Sequence, residues 1–352
     1  MVLIFILRLN YFDYFRAVAI LIIVAGHSFS IWAIDTIPEM ILANVITGGT
    51  ALFVFISGFF FHHIFYKNFN YKKFMLKKTL NVFLPYLILS TAAFVLMITI
   101  LNKPHSQLVN DSGGAIDQLV LYFKYLWTGR VLTAYWYIPF VMIFFTLSPI
   151  FIRFIEYSKT KQIIIFISLL IIATLVQRPS YTISPVHSAI YFTPIYMLGI
   201  MYSVNSAQLV SIIKNKSIVL GACVICISLL QIKAYGTYGN FHKDDIFSFE
   251  GVDVIILQKI FLIFFIISVL LKLEDKSLPI LKYIASMSFP IFFIHPWILF
   301  FINYYSIKGY FSFLPGIVVF AVITSIAFIG SIIIANMIKF TLNKRSNFVI
   351  GW

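Results

Sequence analysis

The sequence predicts an all-α integral membrane protein, a polytopic bundle of about ten transmembrane helices with both termini in the cytoplasm. Three observations predict it. Of 352 residues, 61% are hydrophobic and only 11% charged, against roughly 25% charged in an average soluble domain. The apolar residues fall into ten runs, close to the ~20 residues that a spanning helix needs. Lysine and arginine gather in alternate loops. A soluble core could not bury so much apolar surface with so few polar groups left to cover it.

The runs cover residues 12–34, 43–65, 79–101, 132–155, 162–177, 186–204, 217–234, 252–271, 283–304 and 313–338. Arg8 and Arg16 precede the first, and no small-residue cleavage site follows it, so it reads as an uncleaved span. A polar loop, 102–115, leads into a stretch with Ile116, Leu119, Val120, Phe123 and Trp127 at helical spacing. That pattern predicts a helix lying in the membrane interface. The other long loop runs from Tyr235 to Gly251. No stretch is long enough for a separate soluble domain, so residues 1–352 are expected to form one membrane-embedded domain.

Orientation follows from the cations. With the N-terminus inside, the inner segments hold 17 Lys and Arg and the outer segments seven, leaving Arg16 and Lys259 within spans. This is the positive-inside asymmetry, and it supports an even number of spans. Eight of twelve acidic residues, including Asp35, Asp111, Asp117, Glu250 and Asp253, fall outside. The net charge of +14 does not imply nucleic acid, whose partners gather basic residues into a patch or stripe. Cys223 and Cys226 lie within an apolar run without the polar flanks that redox or metal chemistry needs, and read as helix packing.

An ionisable group inside a span is a functional candidate by default. The first span carries Asp13, Arg16 and His27. Arg16 and His27 are eleven residues apart, three helical turns plus about 20°, so both project from one face ~16 Å apart along the axis. Asp13 is one turn from Arg16 and can pair with it. A bland alternative has Arg16 snorkelling inward and His27 as a packing residue.

The segment Tyr11-Phe-Asp-Tyr-Phe-Arg16 through Gly26-His27-Ser28 resembles the first helix of the membrane acyltransferase-3 family, which carries an arginine, ten residues, then a histidine. Three further segments match in order: Phe53-Val-Phe-Ile-Ser57-Gly58-Phe59, Tyr135-Trp136-Tyr137-Ile-Pro139, and Ser288-Phe-Pro-Ile-Phe-Phe-Ile-His295-Pro296. Members transfer acetyl and related groups from cytoplasmic acyl-coenzyme A to sugars of surface polysaccharides, lipopolysaccharide or peptidoglycan. The resemblance therefore implies an acyl-CoA-dependent O-acyltransferase of the bacterial inner membrane. Its partners would be acyl-CoA, a glycan or lipid-linked sugar acceptor, and membrane lipids. It would hold no bound cofactor and no metal.

The resemblance also implies roles. His27 would take the proton from the attacking sugar hydroxyl, or carry the acyl group itself. Arg16 would grip the coenzyme A arm or a phosphate. The family commonly has arginines between its second and third spans where this chain has Lys72, Lys73, Lys77 and Lys78. Lysines bind phosphate as point charges without the arginine fork, and the cluster reads equally as positive-inside charge. Trp136 would line the acyl path or sit in an interfacial belt. Ser57 and His295 would support the site or serve packing. His62 and His63 lack the carboxylates of a metal site. Lys259 reads equally as a snorkelling cation or as charge balance inside a cavity. The rival function is a non-enzymatic exporter of a polysaccharide or lipid-linked sugar.

Overall fold

The computed structural model describes residues 9–29, 34–105, 108, 114–311 and 313–352. Arg8 and Asp111, which entered the charge argument, lie outside them. The chain is about 79% helical with almost no sheet. Among the described residues, seven helices are long and apolar enough to cross a membrane, and three bent pairs bring the number to ten if each pair is one span. They follow the ten apolar runs in order.

The first span is α1 (Asn10–Ser28). The second begins earlier than its apolar run suggests, with α2 (Ile37–Ile46) capped by Thr36 and Glu39. It breaks at residues 47–49 and resumes as α3 (Thr50–Phe60), which a π-helical turn extends. The third combines α4 (Tyr71–Lys78) and α5 (Leu84–Ala93) through another π-helical turn. Then comes α6 (Ala115–Thr128), whose Ile116, Leu119, Val120, Phe123 and Trp127 are all exposed. This is the apolar face expected of an interfacial helix.

The fourth span is the pair α7 (Tyr137–Thr146) and α8 (Ser148–Glu156), bent by 57°. It is followed by α9 (Lys159–Val176), then α10 (Pro185–Val204) with α11 (Ser206–Ile213), bent by 97°. After α12 (Ser217–Tyr235) and α13 (Ile255–Leu270) comes the third bent pair, α14 (Pro279–Ser286) and α15 (Ser288–Tyr304), at 68°. The last elements are α16 (Gly316–Leu342) and α17 (Ser346–Ile350). Proline explains two bends. Pro149 and Pro290 each remove the N–H that would bond four residues back, and the helix breaks just before them. At the bend between α10 and α11, Asn205 turns its side chain back onto Met201 O at 3.0 Å.

Burial sorts the spans. The windows of α1, of Ile37–Asn68 and of Ile255–Leu273 are 61–67% buried, whereas Lys159–Val176, Ser217–Tyr235 and Gly316–Ile350 are 22–33% buried. The first set forms the centre, and the second presents apolar side chains outward to lipid. Cys223 and Cys226 are free cysteines on α12, in that outer ring.

The tightest crossing in the centre is α3 on α10. A Cβ at Gly58 would lie 2.0 Å from Tyr196 O, and one at Gly199 would lie 2.1 Å from Phe55 O. Backbones this close admit no side chain. Phe12 stacks on Phe59 at 3.7 Å, joining α1 to the same core.

One end of the bundle collects the start of α1, the loop after α13 and the chain's last residues. Asn10 and Tyr11 donate main-chain N–H groups to Glu274, and the Tyr14 hydroxyl donates to Lys276 O. Gly351 packs against Asn81 and Phe289.

Candidate functional site

Two cavities open into the central helices, and the sequence-predicted residues divide between them. The larger, about 590 Å³, lies at the end that holds the start of α1. Asp13, Arg16, Ser57, His63, Lys78, Tyr137 and Ser288 line it among phenylalanines. Arg16 Nη2 donates to Ser288 Oγ at 3.0 Å, and Nη1 lies 3.8 Å from Asp13 Oδ1. The guanidinium also stands 5.7 Å from the Phe60 ring. Each arm of the guanidinium fork thus has a neighbour, Ser288 for one and Asp13 for the other. Ser57 Oγ and the Tyr137 hydroxyl bond at 3.1 Å across this cavity.

The lysine cluster is not uniform. Lys78 lines the cavity, with its ammonium 4.5 Å from the Phe145 ring and 5.0 Å from Phe65. Lys77 stands 5.5 Å over Phe65 and is not among the lining residues. Lys73 is exposed, and its main-chain N–H is capped by Asn70 Oδ1. His62 bonds Ser203 and His63 stacks on Phe59. No group of three metal-ligating side chains occurs among the described residues.

The second cavity, about 350 Å³, is lined by His27, Thr47, Thr50, Trp136, Arg178, Tyr238, Asn240 and His242, with residues of the 46–49 break. His27 Nδ1 lies 3.2 Å from Thr133 Oγ1. Behind it stands His295, ring centroids 5.4 Å apart. His295 is held by its own helix: Nδ1 donates to Ile291 O at 2.8 Å, which leaves Nε2 as the unprotonated nitrogen. That Nε2 is buried and unpartnered among the described residues. The Tyr135 hydroxyl donates to Phe293 O and accepts from Trp297 Nε1, fastening α15 beside the 130–136 segment. Trp136 therefore belongs to the His27 cavity rather than the Arg16 cavity.

The two cavities are close. Trp136 lines one and Tyr137 the other; Thr50 lines one and Phe53 the other. Three residues of α3 correspond to about 4.5 Å of rise. The nearest walls of the two cavities are thus about one helical turn apart, while Arg16 and His27 themselves stand about three turns apart on α1.

Sequence reasoning missed three residues. Arg178, Asn240 and His242 come from the loops after α9 and α12, where Arg178–Pro179 pairs in parallel with His242–Lys243. They entered the sequence argument only as loop charge or loop length, because nothing periodic marks them. Lys259, left with two readings, does not snorkel. It is 2% exposed and donates to Asn44 O and Val45 O at 2.5 and 3.1 Å, capping the end of α2 at the break.

Compared with protein-family models, the chain matches the acyltransferase-3 model, described as an acyltransferase domain, over residues 9–336. No curated protein and no solved structure matched.

Proposed function

Because this chain belongs to the acyltransferase-3 family of membrane acyltransferases, we propose that it moves an acetyl group from cytoplasmic acyl-CoA to a sugar hydroxyl of a surface polysaccharide or its lipid-linked precursor. The observation that carries this reading is the pair of cavities: a basic one holding Arg16 and Lys78, and one helical turn away a polar one holding His27.

The coenzyme A phosphates stay at the basic mouth, where Lys73, Lys77 and Lys78 supply charge and Arg16 supplies directed donors. The uncharged pantetheine arm passes between α1 and α3. His27 Nε2 takes the proton of the sugar hydroxyl as its oxygen attacks the thioester carbon. The thiolate leaves and takes that proton back. Thr133 holds the other ring nitrogen and with it the imidazole orientation. Tyr238 offers an aromatic ring to the sugar, and Trp136 forms the wall beside it.

General-base assistance is typically worth about 10²- to 10⁴-fold, so His27→Ala is expected to insert, bind acyl-CoA and transfer nothing measurable. Mass spectrometry of the surface glycan from cells carrying wild type, His27→Ala or no gene tests this. Wild type alone should add the mass of an acetyl group per repeat. An unmodified glycan whose export fails without the gene would favour an exporter instead.

A further inference from the structure

Arg178 is a buried cation with Asp253 nearby but no hydrogen bond to it. It is 5% exposed, and among the described residues its side chain makes no hydrogen bond and no ion pair. Its guanidinium carbon lies 5.0 Å from the Trp136 ring and 5.6 Å from Phe192. Ring contact engages the charge but leaves the N–H groups uncommitted. The buried carboxylate of this layer, Asp253, is occupied elsewhere: it accepts from the Tyr191 hydroxyl and from the N–H groups of Ile255 and Ile256. A cation enclosed this way is costly unless something negative comes to it.

The backbone is arranged to hold it there. Gln177, just before it, takes φ 54°, a left-handed conformation that strains a residue with a Cβ. The Gln177 amide donates to Glu250 O and Gly251 O, both at 3.2 Å. Arg178 N donates to Phe241 O at 3.4 Å, and buried Lys243 ties Leu175 O to Ser248 O. Two loops are clamped together, and what the clamp delivers to the His27 cavity is the Arg178 side chain.

We propose that Arg178 is a catalytic residue that binds the acyl carbonyl oxygen as it becomes an oxyanion. The proposal rests on His27 acting as base in the same cavity. As the sugar oxygen bonds to the carbonyl carbon, the C=O π pair moves onto the carbonyl oxygen and the hydroxyl proton passes to His27. Arg178 donates to that oxygen. When the pair returns, the C–S bond breaks and the thiolate takes the proton from His27. Arg178 is buried and held against Trp136 and Phe192, and a preoriented donor in a buried site is where the barrier is lowered most.

Membranes from cells expressing Arg178→Gln, Arg178→Lys or His27→Ala, given radiolabelled acetyl-CoA and their own glycan acceptor, test the idea. Rates are taken per folded molecule, counted by fluorescence-detected size exclusion. Arg178→Gln should lose about 10²- to 10³-fold in kcat with an unchanged KM for acetyl-CoA, and Arg178→Lys should recover part of it. Wild-type kcat in Arg178→Gln while His27→Ala is inactive overturns this proposal and leaves the base intact. An active His27→Ala removes the base on which the proposal rests. A raised acceptor KM at unchanged kcat also overturns it, because it places Arg178 on an anionic group of the acceptor.

Discussion

His295 stands directly behind His27, their rings 5.4 Å apart and 34° from coplanar. Its Nδ1 proton is committed to Ile291 O, so the nitrogen it keeps free, Nε2, is an acceptor in a buried place with no donor. Such an atom beside a proposed base gives the proton somewhere to be shared. His295→Phe preserves the ring and removes the acceptor. It is expected to insert normally, to keep its KM for acyl-CoA and to lose at least about tenfold in kcat, toward the low end of acid–base effects. Full activity in that variant would make His295 a packing residue.

Much of the site was legible because a helix converts spacing into direction. Arg16 and His27 share a face of α1, and each does reach a cavity. What spacing could not convey is that the two positions open onto different cavities, or that consecutive residues Trp136 and Tyr137 would divide between them. The loop residues were opaque for another reason. Arg178 was counted as an outer-loop cation, yet strain at Gln177 and a two-residue bridge turn it inward. No hydrophobic period records a backbone reversal. Lys259 was equally unreadable, because its partners are main-chain carbonyls freed by a break in α2 more than 200 residues away in sequence.

The lysines between the second and third spans differ in position, and so should their variants. Lys78 lines the Arg16 cavity and is fenced by Phe65, Phe74 and Phe145, whereas Lys73 is exposed. If they hold phosphate charge, Lys78→Gln should raise the KM for acyl-CoA about tenfold, as loss of a partly buried charge-assisted contact does. Lys73→Gln should change it less than about threefold, as exposed charge pairs are worth little. Turnover should stay near wild type in both. Steady-state kinetics in detergent decide; a collapse of kcat in Lys78→Gln with KM unchanged would contradict the assignment.

Asp253 gives the outer layer a pH dependence. Burial pushes its carboxyl up to about 6, against hydrogen bonds from Tyr191, Ile255 and Ile256 and the nearby Arg178 charge, which act the other way. The folded state therefore holds a proton that the unfolded chain releases at lower pH. Stability from this group is full below the ordinary carboxylate value and is lost as pH rises through about 6. The loss is on the order of 2–3 kcal/mol. Melting temperature should fall between pH 4.5 and 7.5, and Asp253→Asn, which stays neutral, should flatten the fall. An identical slope in the variant would assign it to another group.

The remaining prediction concerns which way the bundle faces. The start of α1, the loop after α13 and the residues around Gly351 meet at one end, beside Lys78 and the Arg16 cavity. That end also carries most of the lysines and arginines, which the positive-inside asymmetry assigns to the cytoplasm. The loop bearing Asn240 and His242 then faces outward, and Phe247 at its tip, 93% exposed, is its best reporter. With Cys223 and Cys226 replaced by serine, Phe247→Cys should react with an impermeant maleimide on spheroplasts. Asn343→Cys, at the other end, should react only after lysis. The reverse pattern would do more than invert the map. It would place Arg16 and Lys78 where cytoplasmic acyl-CoA cannot reach them, and the donor assignment would fall with the topology.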